Sequence, residues 1–179
     1  MKTTFWSVFL GVALTACGGE PQAQPAPATA PTPAIAGMLL ASEPAGALGI
    51  AASKQKGPAD QVVVTGRVAN LVPGAAVMTL MDLAIPYCGE TNKEDHCKTP
   101  WDYCCESPDT RTANALLVEV RGADGQPVAT PSLGDIRLLD HVTAVGRLVH
   151  DDHGNSVLLA TGWFRKARPE LPNDLHWPQ

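Results

Sequence analysis

The sequence predicts a mainly β protein, a small five-stranded Greek-key barrel with a cysteine-rich insertion, preceded by a leader and a proline-rich linker. Three observations predict it. Five short runs alternate apolar and polar residues with a period of two. Two of them place a glycine before an arginine in mid-run, Val64-Thr65-Gly66-Arg67-Val68 and Ala144-Val145-Gly146-Arg147-Leu148, where a missing side chain permits a bend or a close backbone approach. The third and fourth runs are separated by a longer connection, which suits a barrel of so few strands. With 179 residues, 45% hydrophobic and 17% charged, the chain can bury one core but hardly two, so one domain is expected.

Taken in order, the chain begins with a short positive segment at Lys2, an apolar run over residues 5–13, and Leu14-Thr15-Ala16-Cys17. The apolar run is too short to span a bilayer, which takes ~20 residues. This stretch resembles the signal peptide and lipobox of bacterial lipoproteins. The resemblance implies removal of residues 1–16, lipid on the sulfur of Cys17, and a membrane partner through that anchor. Gly18 and Gly19 follow, with no Asp beside Cys17 of the kind that favours inner-membrane retention in that class, so the expected residence is the outer membrane, facing the periplasm. Residues 17–35 are rich in Pro and Ala and cannot form a core or continue a helix. They read as an extended tether that reaches up to about 50 Å at ~3.1 Å per residue.

Residues 36–56 read either as a short helix on the domain or as an extension of the linker. Pro44 suits a helix start and the Ala-rich stretch to Lys54 its body, while Gly46 and Gly49 weaken it. Gly57-Pro58 ends this segment, and the barrel is expected over 57–168. Its five strands are predicted at 61–70, 76–85, 113–121, 142–149 and 157–165. Pro73-Gly74 and Ala123-Asp124-Gly125 supply turns, and Asp151-Asp152-His153-Gly154-Asn155 joins the last two strands as a hairpin. Residues 169–179 are a tail that could return to the barrel through Leu171, Leu175 and Trp177.

The unusual chemistry lies in the insertion over 86–112. Residues 87–106 read Y-C-G-E-T-N-K-E-D-H-C-K-T-P-W-D-Y-C-C-E and hold four of the five cysteines. Thr99-Pro100-Trp101-Asp102 has the chemistry of a helix start, with Thr99 as cap, and Pro108 would end that helix. At this point the chain resembles an OB-fold over residues 62–165. More narrowly, through C-K-T-P-W-D-Y-C-C at 97–105, it resembles a group of uncharacterised bacterial lipoproteins. The resemblance implies the fold and brings no chemistry with it.

Outside the cytoplasm, Cys88, Cys97, Cys104 and Cys105 are expected to oxidise to two disulfides. On a helix, adjacent cysteines point different ways, so Cys88 and Cys97 would each take one of the vicinal pair. The alternative is a soft-metal site for zinc or copper on the same four sulfurs with His96, and a redox-active pair is a third reading. The remaining candidates are Trp101 and Asp102 in the loop, with His150 and His153 in the hairpin that OB-folds use for ligands. For the histidines the plainer reading is a solvated turn, and for Trp101 packing over a disulfide.

The formal charge of −5 argues against nucleic acid as a partner, since neutralising phosphates needs a basic surface. No motif of a nucleophilic hydrolase, a zincin or a phosphate loop is present in the sequence. The expected function is a non-catalytic envelope lipoprotein whose barrel binds an envelope protein or small ligand without a cofactor. The alternative is a metal-handling or thiol-redox protein that uses the cysteine loop.

Overall fold

The computed structural model describes residues 33–91 and 98–170. In chain order they form α1 (Pro33–Ala36), β1 (Leu48–Gly49), α2 (Ile50–Lys56), β2 (Ala59–Leu71), β3 (Val77–Met81), α3 (Cys88–Thr91), α4 (Pro108–Asn114), β4 (Ala115–Glu119), β5 (His141–His150) and β6 (Ser156–Ala167). Strands β2-β3-β4-β6-β5 follow one another around a single sheet, and β5 pairs back onto β2. The barrel is closed. Four of its pairings are antiparallel, while β4 and β6 run parallel. This is the expected OB-fold-like barrel, with the two-residue β1 as an extra parallel strand on β2.

β-Branched residues build β2, where Val64 and Val68 point inward and are fully buried, and such side chains fit a pleated, half-buried surface. Met78, Leu80, Leu116, Val118, Val142, Ala144, Leu148 and Leu158 complete the interior. Closure needs curvature, which bulges supply. The register slips between Val68 and Asn70 on β2 and again beside Val145 and Gly146 on β5. A Cβ on Gly146 would lie 2.2 Å from the Leu159 carbonyl oxygen, and one on Gly66 2.8 Å from Ile50 Cδ1. Both glycines therefore mark close approaches, one of strand on strand and the other of α2 on the barrel wall.

The segment before β2 is more than a linker. Leu40 N–H donates to the Trp163 carbonyl (2.8 Å), and Trp163 N–H donates to the Met38 carbonyl (2.8 Å). Glu43 accepts from Thr143 Oγ1 (3.0 Å) and Lys166 Nζ (3.1 Å). Residues 38–49 thus form a strap that pairs with β6 at Trp163, ties to β5 through Glu43 and ends paired with β2. The predicted helix over 45–54 begins only at Ile50, because Gly46 is left-handed (φ 78°) and Leu48–Gly49 is claimed by β2. Its N-terminus is capped from elsewhere in the chain, as Asp82 Oδ2 accepts from Ala51 N–H (3.0 Å). Its C-terminus closes on Gly57, whose N–H donates to the Lys54 carbonyl (3.1 Å) and whose φ of 79° is one that glycine adopts freely.

Two predicted strands are shorter than expected. The second run stops at Met81, and the third starts at Ala115 because α4 takes the residues before it. Ser107 caps α4 by accepting from Thr110 N–H (3.1 Å), with Pro108 in the first turn. The connection from β4 to β5 folds over the β2–β3 turn through Ala76 N–H to Val128 O (2.8 Å) and Thr130 N–H to Gly74 O (3.1 Å). Leu133, Ile136 and Leu139 of that connection are buried. It ends on Asp140, a fully buried carboxylate held by Arg168 through Nε (2.7 Å) and Nη2 (2.8 Å). Among the described residues no helix is long and apolar enough to cross a membrane.

Gly146→Ala should cost about 3 kcal/mol or more, because the group it meets is backbone and cannot swing aside. Arg147→Ala, on the exposed side of β5, should stay within about 0.5 kcal/mol. Chemical denaturation of the two variants checks this, and a stable Gly146→Ala protein would refute the close approach.

The strap should also respond to acid. His141 Nε2 bonds Thr65 Oγ1 (2.8 Å), and its pKa is lowered from 6.5, first by burial and then by the charge of Lys166, with Glu43 opposing. A folded pKa below the unfolded one means that the neutral ring's contribution is complete above the unfolded pKa of about 6.5 and is lost as pH falls through the folded value. Glu43 is likewise lowered from 4.5, first by its bond to Lys166, so its contribution goes at still lower pH. Melting temperature should therefore fall as pH drops below about 6.5, and His141→Gln should flatten the upper part of that slope. An unchanged slope in the variant would remove His141 from the account.

Candidate functional site

The cysteine insertion leaves the barrel after β3 and returns through α4 to β4. Its two arms are stitched by backbone, as Cys88 N–H donates to Asp102 O (2.9 Å) and Gly89 N–H to Pro100 O (2.7 Å). The arms lie so close that a Cβ on Gly89 would meet Pro100 Cβ at 3.0 Å. These two bonds explain why the helix expected from Thr99 does not form. In a helix the carbonyls of Pro100 and Asp102 would accept from residues 104 and 106, but both already serve the opposite arm. Asp102 N–H still reaches Thr99 O (2.9 Å), so a single turn survives, and Glu106 N–H turns to Tyr103 O (3.1 Å). Helical geometry waits until Pro108, behind the Ser107 cap.

Without the helix, the vicinal cysteines converge. Cys88 Sγ lies 3.2 Å from Cys105 Sγ and 3.4 Å from Cys104 Sγ. All three sulfurs fall within 4.8 Å of one another, the only group of three or more His, Cys, Asp or Glu among the described residues that is arranged to hold a metal ion. Cys88 is buried, while Cys104 and Cys105 are exposed. Neither separation is that of a disulfide, about 2.05 Å, so these sulfurs are in contact and not bonded to each other. Cys97 and His96 lie outside the described residues, as do Cys17 and the tail from 171.

Burial pushes the Cys88 thiol up, but the thiol and backbone N–H of Cys105, and then those of Cys104, bond its sulfur and bring its pKa below the ordinary value. Charge-assisted hydrogen bonds favour the thiolate in this way. Cys104 goes the other way and is pushed up to about 12, first because its proton is bonded to Cys88 and then by burial and the neighbouring thiols.

Sequence reasoning missed the residue that seats this loop on the barrel. Arg67, on the outward face of β2, bonds Glu90 (Nη2–Oε1 and Nη1–Oε2, both 3.1 Å) and the Ile85 carbonyl (Nη1, 3.3 Å). Its guanidinium also lies 5.0 Å from the centre of the Tyr87 ring, within cation–π range. Tyr103 is buried beside it, and its hydroxyl makes no hydrogen bond of good geometry. Burial raises the Tyr103 pKa and Arg67 opposes that. The one signal in the sequence was a long cation next to a mid-strand glycine.

The other candidates fall elsewhere. Trp101 is half-buried in the turn that follows Thr99, and Asp102 is exposed, with Oδ1 accepting from Tyr103 N–H (2.6 Å). His150 and His153 flank an exposed hairpin whose carboxylate, Asp151, accepts from His153 N–H (2.9 Å), Asn155 N–H (2.8 Å) and Asn155 Nδ2 (2.9 Å). Gly154 closes that turn at φ 81°, so the described contacts of the hairpin are those of a turn. At the other end, Leu71, Val72, Pro73, Leu133, Ile136 and Leu138 line a cleft of about 440 Å³ under the β2–β3 turn, with Asn70 and Ser132 also at its walls.

Arg67→Ala should cost about 1 kcal/mol, the scale of one partly exposed ion pair with a cation–π contact. Hydrogen exchange should quicken at the Cys88 and Gly89 amides and stay unchanged in the β5–β6 pairing. Equal protection at Cys88 in both proteins would mean that the loop seats itself without Arg67.

No protein-family model, curated protein or solved structure matches the chain.

Proposed function

We propose that this chain is a lipid-anchored protein of the bacterial cell envelope whose OB-fold-like barrel is a non-catalytic binding module. Lipid on Cys17 fixes it to the membrane, in the outer membrane facing the periplasm, and the Pro- and Ala-rich residues before α1, whose Ile35 is already packed in the core, set the barrel off from the surface. What supports the anchor is the leader and the Leu14-Thr15-Ala16-Cys17 junction. What supports binding is the cleft under the β2–β3 turn, one of the loops that OB-folds use for ligands. Its volume of about 440 Å³ lies in the range of small-molecule sites, and apolar walls with a few polar groups are their usual composition. Val72 stands at its rim, 39% exposed. The ligand class is therefore an apolar group, carried by a small molecule or an envelope protein, with a polar end.

Both halves are open to test. Cys17→Ser should move the protein from the membrane fraction to the soluble fraction or block its processing, and unchanged attachment would sink the anchor. An apolar dye such as anilinonaphthalene sulfonate should bind the folded mature chain, and Val72→Asp should abolish that signal with an unaltered circular dichroism spectrum. Undiminished dye binding in the folded variant would take the cleft out of the proposal.

A further inference from the structure

Independent of the cleft, we infer that Cys88, Cys104 and Cys105 form an exchangeable thiolate site for a d¹⁰ ion, Zn²⁺ or Cu(I). Three sulfurs around one point is the observation. A disulfide brings two sulfurs to about 2.05 Å. The spacing fits an ion better. With Zn–S bonds of about 2.3 Å, tetrahedral thiolates sit about 3.8 Å apart; the separations of 3.4 Å and 3.2 Å from Cys88 open to that geometry with sub-ångström shifts, and all three sulfurs already lie within 4.8 Å of one another. Thiolates are also the ligand type that selects Cu(I) and zinc from harder ions.

The site is built without a covalent staple among these three sulfurs. The bonds from Cys88 N–H to Asp102 O and from Gly89 N–H to Pro100 O bring the two arms together, and Arg67 fastens the Cys88 arm to β2 through Glu90 and the Ile85 carbonyl. Ligands held in place before the ion arrives lose little freedom on binding. Exposure decides what kind of site it is. A structural zinc centre is closed, whereas among the described residues three ligands converge, one buried and two facing solvent, which leaves a position for an incoming ligand. That is the arrangement of a site that accepts and passes on a thiophilic ion. Binding replaces the three S–H protons, which leave to solvent, and changes no oxidation state.

The test uses the full mature chain, reduced and kept anaerobic, titrated separately with Zn²⁺ and with Cu(I) in competition with a chromophoric chelator. One equivalent should bind, and Cys88, Cys104 and Cys105 should become protected from alkylation until a strong chelator is added. The ion that protects at the lower free concentration is the ligand. Cys104→Ser, at an exposed position that cannot disturb packing, and Cys88→Ser should each lose the stoichiometric binding. Binding unchanged in Cys104→Ser, or alkylation unaffected by either ion, overturns the inference. So does protein isolated from the envelope in which all three sulfurs react only after reduction, because that is the disulfide state.

Discussion

Closing five strands into a barrel makes β2 change partners partway along its length, and the rest of the molecule follows from that. From Ala59 to Arg67 it bonds β5, and from Arg67 to Leu71 it bonds β3. The changeover falls at Gly66 and Arg67. Inside, the missing side chain of Gly66 leaves room for Ile50, which anchors α2 and the strap before it. Outside, Arg67 reaches the cysteine loop. One dipeptide therefore joins the closure of the barrel, the seating of the N-terminal segment and the position of the thiols.

The strand pattern was legible because side-chain alternation is local. Val62 to Val68 and Val142 to Leu148 show their faces in the sequence alone, and so do the turns at Gly74, Gly125 and Gly154. The ends of strands were less legible. β4 starts late because Ser107 and Pro108 begin a helix, whereas Pro108 reads in the sequence as the close of an earlier one. The Thr99 start carried correct local chemistry and failed for a tertiary reason, since the carbonyls that a helix needs were bonded across the loop. β1 could not be seen at all, because two residues that pair only through backbone leave no trace in side-chain pattern.

The site was legible as a cluster and not as a geometry. Four cysteines in one insertion marked where to look, but the direction of the vicinal pair depended on whether residues 99–105 were helical. Once they are not, Cys104 and Cys105 turn their sulfurs and N–H groups to the same neighbour. Arg67 was hidden for a different reason. Its partners, Ile85, Tyr87 and Glu90, are 18 to 23 residues away, and no local pattern links a strand cation to a loop that folds back over it.

Trp163 carries a consequence of its own. Its side chain is 1% exposed, its indole N–H is buried with no acceptor, and its backbone holds the strap at Met38 and Leu40. An indole in such a setting emits at short wavelength, and water admitted by a lifting strap shifts that emission to the red. The chain thus contains an intrinsic optical gauge of whether residues 38–40 are docked on the barrel.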